Sequence, residues 1–118
     1  MLVQELRDRA RVDAFAGGRE TVVTIVAMGF EGRVPSVEDD RCGDYLEHLL
    51  TGAPYDHVTA LWECLRDPDI ATSLAGGHVH RSKEDIVLAL QRDLCDFVMV
   101  GRRDGAYVRV TRRDVHVA

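Results

Sequence analysis

His78 and His80 stand two residues apart, and in an extended segment alternate side chains project to the same side. Two imidazoles so placed are the beginning of a metal site, but zinc takes three or four protein ligands. Neither Cys95 nor His116 stands at a spacing that supplies the third. A Cys-His nucleophile pair has no support beyond the presence of both residue types. The chain holds no phosphate-binding Walker loop, no dinucleotide fingerprint and no Gly-x-Ser-x-Gly elbow. The expectation is a protein that is not an enzyme and uses no cofactor and no metal, with a His78/His80 enzyme or metal site as the least favoured alternative.

The other chemistry in the sequence is anion binding. Arg102, Arg103, Tyr107 and Arg109 cluster around Asp104-Gly105, and Asp-Gly between two alternating runs is a strong two-residue hairpin signal. A turn at that dipeptide pairs Arg103 with Ala106, Arg102 with Tyr107, Val100 with Arg109 and Met99 with Val110. One face then carries Phe97, Met99, Val108 and Val110 and belongs to the core. The opposite face carries Val98, Val100, Arg102, Tyr107, Arg109 and Thr111, placing Tyr107 between two guanidinium groups. Such a face suits phosphate or an acidic protein; it is equally a solvated sheet face whose arginine stems cover Val98 and Val100.

The elements that must hold this hairpin follow from apolar periodicity. Ser82-Lys83-Glu84-Asp85 reads as a capping box opening a helix over 82–95, with Ile86, Val87, Leu90 and Leu94 on one face. Upstream, Val3, Leu6, Ala10 and Ala14 predict a helix over 2–15, and Thr21 to Met28 reads as a strand with apolar residues on both faces. Ser36 is expected to cap a helix over 37–51, with Cys42, Tyr45, Leu46, Leu49 and Leu50 on its apolar side. Asp56 caps a helix over 57–66 whose stripe is Val58, Leu61, Trp62 and Leu65. Pro68 opens a short helix over 68–75 that Gly76-Gly77 stops.

At 118 residues the chain is expected to be a single domain, 1–118. Three cysteines, Cys42, Cys64 and Cys95, form neither a disulfide framework nor a Cys-x-x-Cys clamp, so reduced thiols are expected, with Cys42 and Cys64 buried and Cys95 more exposed. No apolar run is long enough to span a bilayer and Met1-Leu2-Val3 leads directly into charged residues, so a cytoplasmic protein is expected. The net charge of −5 hides an asymmetry. Residues 1–77 carry 7 basic and 14 acidic groups, and residues 78–118 carry 8 basic and 6 acidic. Much of the acid lies on one side of helix 37–51, where Glu38, Asp39, Asp40, Asp44 and Glu47 stand against Arg41. That run is a solvated face or a docking surface for a basic partner.

Helix 57–66, helix 68–75, helix 82–95 and hairpin 97–112 together resemble a winged helix-turn-helix. Ile70-Ala71-Thr72-Ser73-Leu74-Ala75 looks like its first helix and Arg102 to Thr111 like its wing. The resemblance implies a winged-helix-like part over 57–112 that binds DNA through Arg81, Lys83, Arg92, Arg102, Arg103, Tyr107 and Arg109. Glu84 and Asp85, in the first turn of the implied recognition helix, would repel phosphate there. The expected fold is α+β, a small antiparallel sheet of strand 21–28 and hairpin 97–112 packed with about five helices. The expected function is DNA binding in transcription regulation. The alternative is a protein–protein interaction protein, an inhibitor or adaptor, that docks through Glu38, Asp39, Asp40, Asp44 and Glu47. Because strand 21–28 asks for cover on both faces, a homodimer is expected, with helix 2–15 and this strand as its contact.

Overall fold

The computed structural model describes residues 22–115 and has an α+β fold. Four helices, α1 (Val37–Thr51), α2 (His57–Arg66), α3 (Pro68–Leu74) and α4 (Lys83–Ala89), precede two strands, β1 (Phe97–Asp104) and β2 (Tyr107–Asp114). The helices belong to one compact unit, residues 22–92, and the strands to another, which among the described residues takes in 93–115. The helix expected over 2–15 lies outside the described residues. No helix among the described residues is long and apolar enough to cross a membrane.

Each helix begins and ends where a backbone group finds a local partner. The Asp56 carboxylate accepts from the Thr59 amide at 2.8 Å to open α2. Asp67 accepts from the Asp69 and Ile70 amides to open α3 behind Pro68, whose missing N–H costs nothing at that position. α3 then closes in a Schellman turn: Gly76, at φ 78°, donates to Ser73 O, and Gly77 donates to Thr72 O. The capping box on α4 is complete, with Asp85 N–H donating to Ser82 Oγ and Ser82 N–H to Asp85 Oδ2.

Two ends differ from expectation. Ser36 occupies the cap position of α1, but its hydroxyl makes no cap bond. Asp39 in that first turn reaches instead to the Gly29 amide at 2.8 Å, tying the incoming chain to the helix. Gly29 is at φ 63°, and a β-carbon there would collide with the Val34 carbonyl oxygen, so the turn from Phe30 to Val34 requires glycine. Helix α4 stops at Ala89 instead of running on to Cys95. The Gln91 amide bonds to Leu88 O in a tighter turn, and Asp93 adopts φ 57°, which no continuing helix accommodates.

The core of the helical unit is small and lies where α2, α3 and α4 meet. Ala60 and Cys64 of α2, Ile70 and Ser73 of α3 and Ile86 of α4 are its buried residues. The buried face of α2 is therefore turned from the expected stripe: Trp62 is 55% exposed, with the Arg66 guanidinium 4.7 Å from its ring centroid, and Val58 is exposed as well. Small side chains at 60 and 64 let the α2 backbone approach its neighbours, and large ones cannot. Ser73 meets the cost of burying a hydroxyl by donating to Asp69 O one turn back. Burial, with Glu38 next, pushes the Cys64 thiol above its ordinary pKa; Cys42, expected to be buried too, is exposed, as is Cys95.

Residues 22–29 form no strand. A strand exists only by pairing, and among the described residues the sheet consists of β1 and β2 alone, so the three-stranded arrangement with 21–28 is corrected to a hairpin.

Candidate functional site

The hairpin turns one residue later than the Asp-Gly signal suggests. Gly105 and Ala106 form the loop and Asp104 pairs with Tyr107, so Arg102 faces Arg109, Val100 faces Thr111 and Met99 faces Arg112. The positive φ of 61° falls on Gly105 at the first loop position, the place where a II′-type turn requires glycine. Both arms slip together, so the division into faces survives the change of register. Arg102, Tyr107, Arg109 and Thr111 share one face with Asp104 and Arg113. Arg103 lies on the other with Phe97, Met99, Val108, Val110 and Arg112. That second face was expected to be core, yet Met99, Val108 and Val110 are 56–66% exposed.

On the first face two arginines stand directly across the ladder. Like charges in that position repel. Arg109 is partly compensated: its Nε and Nη2 both donate to Asp104 Oδ2, at 2.9 and 2.6 Å. Arg102 has no carboxylate partner among the described residues. Tyr107 is 80% exposed beside them. The cation–π contact of the hairpin lies on the opposite face, where Arg112 sits 4.1 Å over the Phe97 ring and bonds to Asp114. Arg103 Nε donates to the Gly105 carbonyl. The second strand runs two residues past the expected end at 112, and Arg113 adds to the basic character there.

The basic residues expected to act from the helical unit are differently placed. Arg81 is held between two carboxylates, Nη1 on Asp69 Oδ2 at 2.7 Å and Nη2 on Glu38 Oε1 at 3.5 Å, and is mostly covered. Arg92 lies 5.5 Å from the Tyr45 ring centroid. Lys83, at the first position of α4, is exposed with no ion-pair partner among the described residues. Asp69, which sequence reasoning passed over, is the anchor of this region, because it also accepts from His78 Nε2 at 2.9 Å. His78 and His80 line a groove of about 580 Å³ together with Phe30, Val34, Val79 and Arg81. Among the described residues no group of three His, Cys, Asp or Glu is placed to hold a metal ion.

The acidic side of α1 is largely committed within its own unit. Glu38 is paired with Arg81 and its side chain is only 13% exposed. Asp39 holds the Gly29 amide, and Asp44 lies 3.2 Å from Arg41, which also binds Glu63. Asp40 and Glu47 remain without an ion-pair partner among the described residues. Five carboxylates that read as one docking face thus reduce to two.

Comparison of the chain with family models, with curated proteins and with solved structures finds no match.

Proposed function

We propose that the chain is a small non-enzymatic regulatory protein that grips DNA phosphates through the hairpin face of Arg102, Tyr107 and Arg109. The observation that carries this reading is the Arg102–Arg109 pair, two guanidinium groups opposed across the ladder next to an exposed aromatic ring. An anion bridging them relieves their repulsion, and Arg is the side chain best shaped to hold phosphate. The chain order α2, α3, α4, β1, β2 is compatible with a winged-helix-like part in which the hairpin serves as the wing.

The helix that would read bases contributes little. At seven residues α4 is only ~10 Å long, and Glu84 and Asp85 occupy its first turn. Binding is therefore dominated by phosphate contacts, with weak preference among sequences. Arg81 stays a structural residue, and the committed carboxylates of α1 disfavour the acidic docking alternative. The protein acts as a homodimer, so that two hairpins address one duplex. Fluorescence anisotropy with a labelled duplex tests the reading: affinity falls steeply with salt, and absence of binding at low salt rejects it.

A further inference from the structure

Asp104-Gly105 is the one Asp-Gly dipeptide in the chain, which contains no asparagine. It sits at the tip of the hairpin, where Asp104 is the last residue of β1 and Gly105 the first of the loop. The Asp104 side chain is 55% exposed, and the space around Gly105 is open: a β-carbon built there would meet nothing within 4 Å. The Gly105 amide donates to no backbone carbonyl among the described residues. An unpaired amide nitrogen thus follows directly on an exposed carboxyl group, with no side chain of its own to hinder approach. One contact opposes that approach. Arg109 Nε and Nη2 both donate to Asp104 Oδ2, at 2.9 and 2.6 Å, and hold the carboxyl group toward β2.

We propose that Asp104 is a site of spontaneous isoaspartate formation that Arg109 holds in check. The Gly105 nitrogen attacks Asp104 Cγ: the N–C bond forms, the C–OH bond breaks, and the hydroxyl leaves with the amide proton as water, closing a cyclic succinimide. Water then opens the ring at either carbonyl. Opening at the backbone carbonyl leaves the chain running through the Asp104 side chain, the isoaspartyl form, and opening at the other restores aspartate. The sequence consumes no reagent but water and involves no oxidation. Its product keeps one carboxylate, so the charge of the hairpin is unchanged. The backbone is longer by a methylene, however, and a two-residue loop fixes strand register through its length. Isoaspartate at 104 therefore undoes the Asp104–Tyr107 pair and takes the carboxylate off Arg109. The modification stands apart from whether this face binds DNA.

Incubation of the purified chain at neutral pH for several weeks tests it, with an isoaspartyl methyltransferase and a labelled methyl donor as the probe and proteolytic mapping to place the label. Label accumulates with time in the peptide that contains Asp104, and Asp104→Glu abolishes it. Arg109→Ala at least doubles the rate, and Arg109→Lys, which keeps the charge but loses the planar fork, falls between that variant and wild type. Should Arg109→Ala also loosen the strands, raised salt carries the same test on the wild-type chain, because it screens an exposed ion pair without changing a residue. No label at 104 in the folded chain, or a rate that neither the Arg109 substitutions nor salt raises, overturns the proposal.

Discussion

The helical unit and the hairpin carry opposite charge and dispose of it differently. Residues 22–92 hold 12 acidic and 6 basic groups, and most of that acid has a local task. Asp56, Asp67 and Asp85 cap helices, Asp39 holds the Gly29 amide, and Glu38 and Asp69 together hold Arg81. In the hairpin the arginines outnumber what their own strands supply, and Arg102 is opposed by another arginine. Net charge thus marks the helical unit as the more highly charged region, while the like charges opposed directly across a ladder lie on the hairpin. A recognition surface is identified by which charges lack internal work, not by how many there are.

The largest effect that separates the two regions is expected at Ile70, fully buried where α2, α3 and α4 meet. Ile70→Ala removes buried carbon and leaves a cavity, costing about 3 kcal/mol. Urea denaturation followed by circular dichroism checks it, and a midpoint unchanged by the substitution would mean that this small core does not hold the helices together.

Arg81→Ala comes next and sharpens the comparison, because Arg81 belongs to the acidic unit's internal pairing. Its loss leaves Glu38 and Asp69 without their shared cation and lowers stability by about 1 kcal/mol, the partial exposure of the pair keeping the cost modest. The same variant binds duplex with an unaltered salt dependence. A large fall in that dependence would move Arg81 back among the phosphate contacts.

The smallest effect concerns the capping carboxylates. Hydrogen bonds from the Ser82 backbone and hydroxyl side hold Asp85 below its ordinary carboxyl pKa, and bonds from Thr59 do the same for Asp56. A carboxyl whose pKa is lowered by folding contributes stability above its unfolded pKa and loses it as pH falls through the folded value. Helix content therefore declines on acidification below about pH 4, and Asp85→Asn makes that decline shallower. Ser82→Ala removes the reciprocal bond at a cost of about 1 kcal/mol at neutral pH. An acid profile identical in wild type and Asp85→Asn would contradict the capping account.

Local grammar carried most of what the sequence made legible. The caps at Asp56 and Ser82 and the start of α3 at Pro68 are readable because each is settled within four residues of chain. The end of α4 was not, because it rests on Asp93 in a left-handed conformation with no glycine or proline to announce it. The buried face of α2 was misplaced because Trp62 and Val58 weigh heavily in a hydrophobic pattern, whereas close helix approach selects Ala60 and Cys64. The stretch 21–28 has the right alternation in sequence, but pairing is a property of neighbours that no single stretch encodes. At the candidate site, spacing alone puts Arg102, Tyr107 and Arg109 on one face, and the strand register does the same. The removal of Arg81 by Asp69 and Glu38 was not legible, since those partners lie 12 and 43 residues away.

The most direct measurement of the claim that the hairpin carries the DNA contact is the salt slope of duplex binding. Each phosphate neutralised contributes about −0.9 to the slope of log affinity against log salt. Arg102→Ala and Arg109→Ala are each expected to flatten that slope by about one unit, with Arg81→Ala leaving it alone. A slope that is the same in wild type and in both hairpin variants, or no binding of duplex at low salt, would contradict the account.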